Sequence, residues 1–164
     1  MTKKVKRKVQ SVEQITKTAE DWRGEGLDVV FTNGCFDLLH YGHLHYLADA
    51  RACGDKLIIG LNSSASITRL KGKNRPINDD LTRIFALASL ECVDAVVVFV
   101  EDTPQNLIEI ICPDVLVKGG DWLPEQIVGA AFVERHGGEV RALPFVSGYS
   151  TTNIETKIRN QKPA

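Results

Sequence analysis

Five short runs of almost uniformly apolar residues constrain this chain more than any other feature: DVVFTN (28–33), DKLIIGLN (55–62), VDAVVVFV (93–100), DVLVKGG (114–120) and EVRALPF (139–145). A strand with one wet face alternates apolar and polar residues. A near-continuous run needs cover on both faces. Helical patterns separate the runs: YGHLHYLADARACG (41–54), DDLTRIFALASLE (79–91), PQNLIEIIC (104–112) and IVGAAFVERHGG (127–138), with STTNIETKIRN (150–160) closing the chain. Strand–helix alternation of this kind predicts a single-domain, Rossmann-like, doubly wound parallel α/β sheet of about five strands. In such sheets ligands gather at the carboxyl ends of the strands, near the point where the winding reverses.

Residues 1–27 read as a basic tip and one helix, and residues 28–164 as the α/β domain. Ser11 and Gln14 match a capping box, which opens a helix to about Gly24 with Val12, Ile15, Ala19 and Trp22 on its buried face. The tip MTKKVKRKVQ holds no acid and reads as a solvated, frayed terminus. Other end signals are Ser63 or Ser64 before a short helix, Asn78 as a cap, Thr103 as a cap before an N1 proline at Pro104, and Gly54 as a stop.

With 20 Lys+Arg against 21 Asp+Glu the net charge is −1, which gives no general pull toward nucleic acid or a membrane surface. No apolar run approaches the ~20 residues of a membrane span, and no segment resembles a signal peptide. Cys35, Cys53, Cys92 and Cys112 form no CxxC pair; they read as buried free thiols of a reducing cytoplasm.

Four polar or Gly-rich stretches follow strands and should meet on one rim. The first, TNGCFDLLHYGH (32–43), lacks both G-x-G-x-x-G and a P-loop. His40 and His43 stand three apart at a helix start, where free N–H groups and a positive partial charge favour an anion. Gly42 lets a flat ring or a phosphate come close. The pair suits a polyphosphate, with structural packing as the alternative. His45 should face away from His43, which argues against a three-histidine zinc site, and His136 reads as a surface residue. The second stretch leads into RLKGKNR, with Arg69, Lys71, Lys73 and Arg75 as an anion site or a solvated face, and Arg83 as a weaker candidate. In the third, Lys118, Gly119, Gly120 and Asp121 form either a tight turn with an ordinary acid or a backbone approach to base or ribose, with Lys118 near phosphate or substrate and Asp121 fixing the turn. In the fourth, Ser150, Thr151 and Thr152 cap a helix or offer donors to a second phosphate group.

The combination of GCFD, His40-x-Gly42-His43 and Ser150-Thr151-Thr152 resembles the HxGH nucleotidyltransferase superfamily, which includes cytidylyltransferases and pantetheine-phosphate adenylyltransferase. Four blocks in order (FTNGCFDLLHYGHLHYL, GLNSSASITRLKGKNRPIN, EDTPQNLIEIICPDVLVKGGDW and GGEVRALPFVSGYSTTNIETKI) look like the branch that adenylylates heptose 1-phosphate, and the likeness covers about residues 28–160. With no sugar-kinase half, the chain looks like a stand-alone form. Two positions depart from the pattern: Lys157 stands where many cytidylyltransferases have Arg, and Ser64 where many relatives have Asp.

The resemblance implies transfer of AMP from ATP, with Mg²⁺, to D-glycero-β-D-manno-heptose 1-phosphate. It assigns catalysis to His40, His43 and Lys71, and nucleotide binding to Asn33, Gly34, Cys35, Phe36, Asp37, Gly42, Lys118, Gly119, Asp121, Ser150, Thr151 and Thr152. Sugar phosphate binding falls to Asp37, Asn62, Arg69, Lys71 and Arg75. It implies no dedicated protein metal site, a homodimer and a cytoplasmic enzyme. Two alternatives stay open: a cytidylyltransferase for glycerol 3-phosphate or another polyol phosphate, and a nucleotide-sensing module without catalysis.

Overall fold

The computed structural model describes residues 2–161. One sheet holds β1 (Val9–Gln10), β2 (Val29–Gly34), β3 (Lys56–Asn62), β4 (Ala95–Phe99), β5 (Val115–Gly119) and β6 (Glu139–Leu143) in the order β1-β4-β3-β2-β5-β6. Every neighbouring pair is parallel. The five apolar runs are β2 to β6. The chain steps from β2 through β3 to β4 on one side, then crosses back to lay β5 on the other side of β2. The winding therefore reverses between β2 and β5.

Among the described residues there are eight helices: α1 (Lys3–Lys8), α2 (Val12–Gly24), α3 (Tyr41–Arg51), α4 (Ser64–Lys71), α5 (Asp80–Ala88), α6 (Gln105–Ile111), α7 (Ala130–Arg135) and α8 (Thr151–Arg159). Side chains of the strands alternate between two cores. Val29 and Phe31 point toward Ile15 of α2, Ile108 of α6 and Val133 of α7. Val30 points the other way, into the core of Leu47 from α3 and Leu87 from α5. Both faces are apolar because both are roofed, which is why the runs carry no alternation.

The sixth strand comes from the tip that composition marks as frayed. Thr2 caps α1, and Val9 and Gln10 then pair with Val96 and Val97 of β4. Lys8 donates from Nζ to the Leu90 carbonyl at 2.8 Å, so part of the positive charge is an anchor.

Several helix ends differ from their sequence signals. The Ser11 capping box is present, but only Ile15 and Ala19 of that face are buried; Val12 is exposed and Trp22 partly so. Asp79, not Asn78, caps α5, because Asn78 is held elsewhere. Pro104 is itself the residue before α6, with no side-chain cap. Ser63 caps α4, and α3 ends at Arg51 before Gly54 is reached. The stretch 127–138 is not one helix: Gly129, at φ 89°, breaks it, leaving a 3₁₀ turn at 124–126 and the short α7. All four cysteines are free and half-buried, where full burial was expected.

Candidate active site

A pocket of about 540 Å³ opens at the carboxyl ends of β2 and β5, where the winding reverses. Its wall joins the β2 loop, the start of α3, the end of α4, the end of β5 and the segment from Phe145 to Thr151. Three of the four polar stretches meet here; the second contributes only Lys71.

The histidine pair is built by helix capping. His40 has extended backbone and caps α3, its Nδ1 accepting the His43 backbone N–H at 3.4 Å. An accepting Nδ1 carries no proton, so the neutral His40 ring holds its hydrogen on Nε2. The two rings stack with centroids 3.8 Å apart and planes at 21°. Phe36 meets His43 edge-on at 5.4 Å. Burial pushes the His43 imidazole down to about 4, and the neighbouring His40 and Lys71 act in the same direction. Burial lowers His40 as well. Two stacked imidazolium ions would be costly out of water, and the neutral pair avoids that cost while keeping N–H donors.

Two glycines make the packing possible. A Cβ on Gly34 would lie 2.9 Å from the Phe36 ring, and one on Gly42 would lie 3.2 Å from both the His40 ring and Tyr149 Cβ. Gly42 therefore lets the α3 end and the far lip of the pocket come together.

Two cationic groups stand in the same wall. Lys71 is exposed at the end of α4. Lys118 is largely buried, donates from Nζ to Asn33 Oδ1 at 3.1 Å, and has its pKa lowered by that burial. This contact bridges β2 and β5 at the reversal point. Beneath it, Tyr46 shares a 2.6 Å hydrogen bond with Thr32 Oγ1 and donates to the Val117 carbonyl at 3.3 Å. Burial raises its phenol to about 12, so Tyr46 stays protonated. On the far lip, Ser150 caps α8 by accepting the Asn153 N–H at 3.0 Å, and Thr151 opens that helix beside it.

Of the residues that the sequence nominates, Asn33, Gly34, Cys35, Phe36, His40, Gly42, His43, Lys71, Lys118, Gly119, Ser150 and Thr151 all line this pocket. The others lie outside its wall. Asp37 is buried, and its carboxylate takes N–H groups of Ile77 and Asn78 at 2.8–2.9 Å and Arg75 Nη1 at 3.1 Å. Burial works against that carboxylate, but these hydrogen bonds outweigh it and hold its pKa below the usual range. Arg75 is shared between Asp37 and Glu155. Arg69 turns to Asp102 at 2.7 Å and to the Val100 carbonyl at 2.6 Å. Asn62 is buried and bonds Ser66. Asp121 and Thr152 are exposed.

Arg83 is no surface anion site. Its guanidinium is buried and binds the carbonyls of Cys35 and Asn62 at 2.9 and 2.8 Å, with Asp80 as its counter-charge. Ser64 bonds the same Asp80, and Lys157 is exposed. His45 pairs with Asp49 at 2.9 Å, and His136 is exposed.

Sequence reasoning missed Tyr46 and the Phe145–Val146 part of the lip; the rest of the lip, Ser147–Tyr149, belongs to the fourth polar stretch. Tyr46 lies inside a helical pattern, outside every polar stretch singled out from the sequence. The lip had a signal, two aromatic residues in a polar connection before Ser150, where no core requires them: Phe145 is 72% and Tyr149 50% exposed. The closure of the Gly119–Gly120 turn was also misassigned. Trp122 Nε1 donates to the Gly119 carbonyl at 3.1 Å, and Gly120 N–H to that of Leu143 at 2.8 Å, so Asp121 is not the fastener.

Among the described residues, no three His, Cys, Asp or Glu side chains are grouped as a metal site, and no carboxylate stands in the pocket wall. A hard divalent cation takes oxygen donors, carboxylates foremost. The wall offers only an amide and hydroxyls, which do not fit a resident Mg²⁺ cage.

Comparisons with known proteins bear on the family and the fold. Residues 31–157 match the family model described as Cytidylyltransferase-like. A bifunctional protein HldE of Pseudomonas paraeruginosa is 56% identical over 155 residues, covering 94% of this chain and 33% of the relative. One of Geotalea uraniireducens is 52% identical over 152 residues, covering 93% and 31%. The chain thus spans about a third of the length of these curated relatives. Among solved structures, the lipopolysaccharide core biosynthesis protein of Thermoplasma volcanium superposes with TM-score 0.61 at 27% identity, over 76% of this chain and all of that one. Pantothenate synthetase of Thermus thermophilus, at 18% identity and TM-score 0.61 over 93% of this chain and 70% of that one, shares the fold. By sequence over most of its length, the chain belongs to the cytidylyltransferase-like family.

Proposed function

We propose that the chain is an adenylyltransferase that joins AMP from ATP to D-glycero-β-D-manno-heptose 1-phosphate, giving ADP-heptose and pyrophosphate. A phosphate oxygen of the sugar forms a new bond to the α-phosphorus, and the bond from that phosphorus to the bridging oxygen breaks. The observation that carries this reading is one pocket in which two helix N-termini, two lysines and two stacked neutral histidines converge without a carboxylate in the wall. Such a wall suits a polyanion. The substrate assignment rests on the four sequence blocks and on the likeness to the HldE relatives.

The sugar phosphate is already an anion at neutral pH, so it needs no general base. What the protein supplies is position and charge. His40 donates from Nε2–H, and His43 from its single neutral N–H, to the α-phosphate and the bridging oxygen. Lys71 draws the α-phosphate and the sugar phosphate together against their mutual repulsion. Ser150, Thr151 and the α8 end hold the β and γ phosphates that leave. Asn33 and Gly119 face the ribose and base, with Lys118 near phosphate or substrate. Mg²⁺ belongs to the substrate here, carried in by the triphosphate oxygens and water.

The test is pyrophosphate release with both heptose 1-phosphate anomers, glycerol 3-phosphate and each of the four NTPs. ATP with the β-anomer is the expected best pair. The family's name favours a second reading, and a preference for CTP with glycerol 3-phosphate would replace these substrates while keeping the chemistry. ATP binding with no pyrophosphate from any acceptor would make the chain a nucleotide-sensing module. We also propose that it works as a homodimer in the cytoplasm; sedimentation equilibrium and cell fractionation check both. Among the described residues, no helix is long and apolar enough to cross a membrane.

A further inference from the structure

The far lip of the pocket stands on a helix that the core does not hold. α8 has no buried residue, although its first turn carries Thr151 and its cap is Ser150. Two polar or aromatic contacts tie it to the rest of the molecule. Near its start, Tyr149 leans on Tyr41 with ring centroids 5.0 Å apart. One turn further on, Glu155 reaches the guanidinium of Arg75, both side chains being mostly covered, at 17% and 22% exposed. The other arm of Arg75 meets Asp37 at 3.1 Å. Asp37 is pinned in turn by the backbone N–H groups of Ile77 and Asn78, and its own carbonyl accepts from Asn78 Nδ2 at 2.6 Å. Three residues after Asp37 the chain reaches His40.

Arg75 thus sits between the element that carries the histidines and the helix that carries the hydroxyls. A planar guanidinium between two carboxylates fixes distance and angle, which a lysine ammonium would not. Neither Arg75 nor Glu155 lines the pocket, so they act on the site only through the elements they tie.

We infer that Arg75 and Glu155 are positioning residues that set the Ser150–Thr151 end of α8 opposite the His40–His43 end of α3, so that one triphosphate spans both. The inference rests on the phosphate-holding roles proposed for these two ends. It removes Arg75 from direct contact with the sugar phosphate. It also separates the two carboxylates. Loss of Glu155 frees only the far lip, because Asp37 keeps its backbone partners.

The test compares Glu155→Gln, Glu155→Asp and the parent chain. Calorimetric titration with ATP is paired with amide hydrogen exchange over residues 41–51 and 151–159, and neither needs the sugar acceptor. In Glu155→Gln, ATP binding should weaken about tenfold, equal to about 1.4 kcal/mol. Exchange should quicken in 151–159 and stay unchanged in 41–51. In turnover assays the KM for ATP should rise by a similar factor with kcat held, as loss of uniform binding predicts. Glu155→Asp, which keeps the charge on a shorter arm, should fall between the two. Equal ATP affinity in Glu155→Gln and parent overturns the inference. If the parent itself binds no ATP, the nucleotide reading fails, and α8 exchange decides the latch separately: unchanged exchange in Glu155→Gln overturns it. Should Glu155→Gln fail to fold, Glu155→Asp answers with the same readouts, and parent-like values in it overturn the inference.

Discussion

The near and far walls of the pocket make the same kind of offer to an anion, yet different physics builds them. The near wall grows out of the core. α3 buries Tyr46, Leu47 and Ala50, and its end is locked by stacked rings over Phe36. The far wall is an exposed aromatic lip and a helix with no fully buried residue, tied down by shared ions. A site built this way combines a rigid surface, where charge must be met in a fixed geometry, with a surface whose position depends on a few polar contacts. Groups that must be stronger in the transition state than in the ground state belong on the rigid side. Groups that only hold the leaving end can sit on the other.

This contrast can be broken in order of expected effect. His43→Ala on the near wall should lower kcat/KM by about 10²–10³, or roughly 2.7–4 kcal/mol, as removal of an oxyanion donor does. Pyrophosphate release at saturating and limiting ATP measures it, and unchanged turnover would sink the mechanism. Leu47→Ala beneath that wall should cost about 3 kcal/mol of unfolding free energy in urea titration. Its counterpart on α8, Ile158→Ala, should change stability by less than about 0.5 kcal/mol, since that side chain is exposed. A large loss there would mean that the far helix is packed after all.

Asp37→Asn tests the junction between the walls and should cost about 2 kcal/mol at pH 7, because hydrogen bonds to a charged group are lost. The native carboxylate is held below its usual range, so its contribution is present above the unfolded pKa and disappears as pH falls through the folded one. Stability of the parent should therefore drop in acid, and the Asn variant should lack that part of the drop. Lys118 gives a signal in pH dependence rather than in stability. Its pKa is lowered by burial, so its positive charge is lost, as pH rises, earlier than on an ordinary lysine. The alkaline limb of kcat/KM should lie below the usual lysine range and move upward in Lys118→Arg; an unmoved limb would exclude Lys118 from it.

The difference between the walls also decides what could be read in the sequence. The near wall was legible because its logic is local: a strand end, histidines three apart and a small residue between them. The five long strands were legible for the same reason, each carrying its own apolar run. β1 was not, since two residues inside a basic tip hold no periodicity and owe their strand state to β4. Asp37 and Arg75 stand outside the pocket wall because distant partners take their charges, which spacing does not show. Asp37 is claimed by residues 77 and 78, and Arg75 by residue 155. Arg83 likewise read as a weaker anion-site candidate, although its guanidinium closes the ends of β2 and β3 from inside. Sequence reports what a residue can offer, but long-range pairing decides what is left to offer.

The pairing of Val9 with Val96 also has a temporal meaning. On the ribosome, where chains emerge at about 5–20 residues per second, β1 has no neighbour until β4 is out. For several seconds the basic segment must wait in solution, its positive charge opposing association with other cationic nascent segments. When β4 arrives, that segment closes an edge that would otherwise be open to strangers.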